Sequence, residues 1–180
     1  MIVLHESFIQ LVRLGVGTLN NCDIPKELDW ILLKALVDEQ GLPAVVIDGI
    51  EQLPESVRPT KDLLLQWIGE TLQGESQNAV QQKAAMEMAN FFHSNCIKTF
   101  VLKGAVIAEC YPKPNHRVSV DMDCYLSPAD GIFDAWALGN DVIKGRGFTV
   151  DTDFYKNSTF HLPGLTVENH QYLTPFRGNK

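Results

Sequence analysis

Arg117-Val118-Ser119-Val120-Asp121-Met122-Asp123-Cys124-Tyr125-Leu126 sets two carboxylates two residues apart inside an otherwise apolar, strand-like run. Side chains alternate faces along a strand. Asp121 and Asp123 should therefore share one face, about 7 Å apart, while Met122, Cys124 and Leu126 turn towards a core. Like charges side by side on a sheet repel unless something positive lies between them. The simplest occupant is a divalent metal, because Mg²⁺ is commonly held by one or two carboxylates together with substrate phosphates. The run is thus a candidate site for phosphoryl or nucleotidyl transfer. The competing reading is a solvated strand face carrying scattered acids.

Two flanking segments bear on the choice. Downstream, Leu165-Thr166-Val167-Glu168-Asn169-His170 reads as a strand with Thr166, Glu168 and His170 on one face. If it pairs beside the double-Asp strand, Glu168 completes a three-carboxylate cluster able to hold two metals. Upstream, Ile97 to Leu102 is a short β-type run that leads into Lys103-Gly104-Ala105 and a helical segment reaching Cys110. Glycine at such a junction lets a phosphate approach the backbone, a helix start offers free N–H groups, and Lys103 adds a point charge. Strand-glycine-helix turns are also common purely structural features. Arg117 fits either a phosphate or an acid partner. His170 reads as a site residue or, the preferred reading, as an ordinary strand histidine. His5, His93, His116 and His161 show no ligand spacing, and Lys144 and Arg146 are assigned to the carbonyls of a helix end.

Further out, the N-terminal half has helical periodicity. Phe8, Leu11, Val12 and Val16 make one stripe. Asp23 and Pro25 read as the start of a second helix, with Leu28, Ile31, Leu32, Ala35 and Leu36 as its stripe and an end near Gly41. Residues 42–50 read as a brief helix or buried turn. Thr60 caps a helix interrupted at Gly74, and Ser76 begins another running to about Asn95. A helix from Ser127 to Gly145, holding Ile132, Phe133, Trp136 and Ile143, follows the double-Asp strand, and Phe148 to Val150 is a short strand. The expectation is a helical region over residues 1–96 and a compact α/β core over residues 97–180.

Composition narrows the class. The 180 residues are 45% hydrophobic and 21% charged, as in ordinary globular proteins. The net charge of −7 argues against an extensive nucleic-acid-binding face, though not against a small nucleotide. The four cysteines are scattered, which suggests reduced thiols rather than disulfides or a zinc site. Neither a signal peptide nor an apolar run of about 18 residues is present, so a cytoplasmic protein without a membrane partner is expected.

Taken together, Leu102-Lys103-Gly104-Ala105, a Tyr-Pro loop, Arg117-x-x-x-Asp121-Met122-Asp123 and Leu165-Thr166-Val167-Glu168-Asn169-His170 resemble the uncharacterised nucleotidyltransferase family of the polymerase-beta-like superfamily. By motif the resemblance covers residues 97–173. It implies an α/β (α+β) fold with a small mixed β-sheet flanked by helices. It also implies Mg²⁺ or Mn²⁺ on Asp121, Asp123 and Glu168, which are then the catalytic residues. Lys103, Gly104, Ala105 and Arg117 are implied to bind an NTP, foremost ATP. The implied reaction moves an NMP to an acceptor hydroxyl on a small molecule or a protein. Two departures stand out: Ala105 occupies a place where the superfamily has Gly or Ser, and a Pro-containing loop lengthens the interval from Gly104 to Asp121. The chain also ends soon after the third carboxylate strand, which reads as a truncation or a minimal domain. The alternative is a catalytically inactive nucleotide-binding or regulatory module of the same fold, and a weaker one is half of a two-protein system.

Overall fold

In a computed structural model, which describes residues 2–130 and 135–172, the chain divides into two compact units. The first comprises Met1–Asn78 and Ala108–Val118, the second Ala79–Ile107 and Ser119–Lys180. Six α-helices and a five-stranded mixed sheet are found among the described residues, an α+β fold as expected.

The first unit is helical: α1 (Ile2–Gly15), α2 (Trp30–Glu39), α3 (Pro43–Glu51) and the opening part of α4 (Lys61–Ser94). Its core gathers Leu11, Leu14, Leu33, Val37, Val46, Ile50 and Trp67. Helices α1 and α3 pack at glycines, where backbone meets backbone. A Cβ on Gly15 would collide with the Val45 carbonyl, and one on Gly49 with that of Leu11. Helix α2 begins later than Asp23 and Pro25 suggest. Asp29 is its cap, with Oδ1 accepting from the N–H groups of Ile31 and Leu32 at 3.0 Å each. The buried face is consequently Leu33, Lys34 and Val37, whereas Ile31 and Leu32 are exposed. Buried Lys34 is held by Asp38 at 2.7 Å and Glu70 at 2.5 Å. Nor does Gly74 break a helix, since α4 is one continuous 34-residue element through it. Ser76 starts nothing; its hydroxyl donates back to the Leu72 carbonyl at 3.0 Å.

In the second unit the sheet runs β1 (Ile97–Val101), β2 (Met122–Pro128), β5 (Leu165–His170), β4 (Asn157–Leu162) and β3 (Val150–Asp151). Only β2 and β5 are parallel; the other pairs are antiparallel. Met122, Cys124, Leu126, Phe160, Leu165 and Val167 form its core with Met88, Phe92 and Ile143. Burial pushes the Cys124 thiol up to about 12, with the Asp123 charge adding to it.

Strand β2 is shifted towards the C-terminus of the strand-like run over residues 117–126. It begins only at Met122, because Ser119 Oγ donates to the Asp121 carbonyl at 2.9 Å and closes a local turn. Val118 and Val120 are exposed. At its other end β2 continues through Ser127 and Pro128, which pairs with Ile97 rather than opening a helix. Helix α6 (Ala135–Gly145) follows, and the expected positions Ile132 and Phe133 lie outside the described residues. Arg146 turns to the Phe91 ring, 4.1 Å from its centroid. No helix among the described residues is long and apolar enough to cross a membrane.

Candidate functional site

The parallel pairing of β2 with β5 sets Asp123 opposite Glu168 and Tyr125 opposite His170. Side chains that share a face of neighbouring strands meet, and here they converge. Asp123, Glu168 and His170 offer ligand atoms that all lie within 4.8 Å of one another. Asp123 is buried at 6% exposure, a position where an ionised carboxylate needs partners. It has two, both on Oδ1: Lys103 Nζ at 3.0 Å and His170 Nε2 at 2.7 Å. Burial alone would raise the Asp123 carboxyl, but these bonds outweigh it and hold the group below the usual carboxylate range. Lys103 is pushed up in turn, chiefly by its bond to Asp123 and also by the charges of Glu168 and Asp121.

Glu168 is held from a third strand. Asn157, opposite His170 in the β4–β5 ladder, donates from Nδ2 to Glu168 Oε2 at 2.7 Å. The amide's own oxygen, Oδ1, is buried and has no hydrogen-bond partner. His170 Nε2 stands 3.9 Å from the same Glu168 oxygen. Two carboxylates and an imidazole are hard-to-borderline donors that suit a divalent ion, and a buried acceptor oxygen left unpaired beside them suits a polar guest. The residues fit such an ion.

Asp121 precedes β2 and lies outside the set of mutually close donor atoms, although its charge reaches Lys103. Gly104 has a φ of +64°, a left-handed turn natural only to glycine, between β1 and the following helix. That helix, α5 (Ala105–Ala108), is a single turn rather than the segment expected to reach Cys110, so little helix dipole is available there. Ala105 is its first residue and is exposed. Arg117 belongs to the first unit, where its carbonyl accepts from Asn78 Nδ2 at 3.1 Å. The positive neighbour that two close carboxylates call for is thus already supplied in part by Lys103.

The same loop carries a second polar cluster, wholly within the first unit. His116, 5% exposed, places Nδ1 2.7 Å from Asp48 Oδ2 and Nε2 2.9 Å from Glu75 Oε1. Carboxylates only accept, so both contacts are satisfied when both ring nitrogens carry protons. Lys113 also bonds Asp48, at 2.5 Å, and Asn115 donates to Glu75 at 2.6 Å. No local spacing signals this cluster, because its members lie 41 and 68 residues apart.

The sequence profile of a family described as uncharacterised nucleotidyltransferase matches residues 26–180. No curated protein and no solved structure matches the chain.

Proposed function

The chain belongs to the uncharacterised nucleotidyltransferase family, and on that premise we propose that it moves a nucleoside monophosphate from an NTP to an acceptor hydroxyl. The observation that carries this reading is the meeting of Asp123, Glu168 and His170 beside Lys103 on one sheet face. A divalent ion bound there, Mg²⁺ or Mn²⁺, would screen the triphosphate and polarise the phosphorus under attack. Asp123 and Glu168 would hold it, with Asp121 adding negative charge nearby. Lys103 can exchange its bond to Asp123 for a phosphate oxygen, since its side chain is 60% exposed. The Gly104 turn lets a phosphate approach the backbone, and Ala105 follows it without a hydroxyl to offer. In the reaction the acceptor oxygen bonds to the α-phosphorus and the bond to pyrophosphate breaks. The hydroxyl proton passes to a carboxylate, for which Glu168 is the candidate. Positioning and charge neutralisation supply most of the rate.

Ala105, at a place where Gly or Ser is expected, favours a second reading in which the site binds nucleotide without turnover. Incubation with the four α-labelled NTPs, Mg²⁺ and a panel of hydroxyl acceptors separates these readings. Transfer that disappears in Asp123→Asn supports the enzyme. Thermal stabilisation by MgATP without product, lost in Asp121→Ala, supports the binding module. A folded wild-type protein that neither binds nor transfers any NTP refutes both.

A further inference from the structure

Asn157, which holds Glu168, follows directly on Phe154-Tyr155-Lys156, a segment with unusual exposure. Phe154 is 57% and Tyr155 68% exposed, and their rings lie 5.3 Å apart at 42°. Lys156 Nζ stands 5.2 Å from the Tyr155 centroid. The Gln171 N–H donates to the Lys156 carbonyl at 2.9 Å, which brings Tyr172, 44% exposed, to the same end of the β4–β5 pair. Three large rings left in solvent at one end of a strand pair do nothing for the core, and clustered exposed aromatics mark binding surfaces. Aromatic faces flanked by a cation are how proteins take up a base together with its phosphate, because every nucleobase offers a π-face.

Register fixes where this surface lies relative to the donor cluster. Asn157 is opposite His170 and Thr159 opposite Glu168. Lys156 and Tyr155 precede His170's partner by one and two residues, in the bend that leads into β4, and so lie within about 8 Å of it along the chain. That span is comparable with the one separating a nucleobase from its α-phosphate. Asn157 links the two regions along the chain, its Nδ2 donating to Glu168 Oε2 at 2.7 Å while its Oδ1 is buried without a partner.

We propose that Phe154, Tyr155 and Tyr172 form the stacking platform for the base of the NTP, with Lys156 beside its phosphates and Asn157 joining platform to donor cluster. This rests on the reading of the cluster as the triphosphate site. Its test is calorimetric titration of the full chain, in Mg²⁺, with ATP and with inorganic tripolyphosphate. ATP should bind more tightly than tripolyphosphate. Tyr155→Ala should weaken ATP about five- to a hundredfold and leave tripolyphosphate within about twofold, while Tyr155→Phe retains ATP binding. Phe154→Ala and Tyr172→Ala should act in the same direction, and being exposed, none of these rings is needed for folding. Unchanged ATP affinity in all three alanine variants overturns the proposal, even if transfer is lost, because the platform would then serve the acceptor. Equal weakening of both ligands, or equal affinity for both in the wild type, also overturns it. If tripolyphosphate binds and no base contribution is found, the platform alone fails. If neither ligand binds, the reading of the donor cluster fails and the platform with it.

Discussion

Replacing Lys103 by methionine should tighten the binding of a bare divalent ion and loosen that of a triphosphate. Lys103 Nζ lies 3.0 Å from Asp123 Oδ1. An ion on the Asp123 carboxylate, about 2.1 Å from whichever oxygen it takes, would then stand roughly 4–7 Å from the ammonium. At a water-like dielectric the repulsion between a divalent and a monovalent cation over that distance is about 1.2–2.1 kcal/mol. Lys103 is 60% exposed, so the high-dielectric value is the appropriate one, and its freedom to swing aside lowers the realised effect. Tightening of roughly five- to fifteenfold is expected. Without Lys103 the Asp123 carboxylate keeps its hydrogen bond from His170 at 2.7 Å, which still holds the group down against burial. The substitution removes a positive charge without removing a ligand. Mn²⁺ titration followed by electron paramagnetic resonance measures the first effect, and calorimetry with tripolyphosphate the second. Mn²⁺ affinity that stays the same or falls, in a variant with an unaltered melting temperature, would show that no ion sits beside Asp123.

Two further outcomes follow from packing and burial. Gly49→Ala drives a methyl into the Leu11 carbonyl and should cost about 1–3 kcal/mol, lowering the melting temperature by several degrees; an unchanged melt would mean that α1 and α3 do not meet at this glycine. With Ellman's reagent near pH 8, Cys96 and Cys110 should react at once in the native protein. Cys124, buried and pushed up to about 12, should react only on unfolding, and mass spectrometry of the labelled peptides distinguishes the three.

Much of the second unit was legible because period-2 patterns mark strands. Alternation over residues 165–170 predicts a strand with Thr166, Glu168 and His170 on one face, and β5 spans those residues. Strand β4 is not legible in the sequence, because its first two buried residues, Asn157 and Ser158, are polar and their burial leaves no hydrophobic trace. Gly74 suggests a break that α4 does not have, because a single glycine costs an exposed helix only about 1 kcal/mol, which 34 residues absorb. The partners of Asp123 show why sites are harder to read than strands. Lys103 is 20 residues away and His170 47, and only the pairing of β1 and β5 on either side of β2 brings them together.

Loops usually tolerate insertion and deletion, and the stretch from Ala108 to Val118 looks like the place to shorten this chain towards a tighter glycine-to-aspartate interval. Its histidine argues otherwise. Deleting it would strip Asp48 of His116 and Lys113 together, and Glu75 of His116 and Asn115. Two acids would be left facing the gap, one of them buried. The length of this excursion is therefore a property of the helical unit's interior, and relatives that keep Asp48 and Glu75 should keep its length as well.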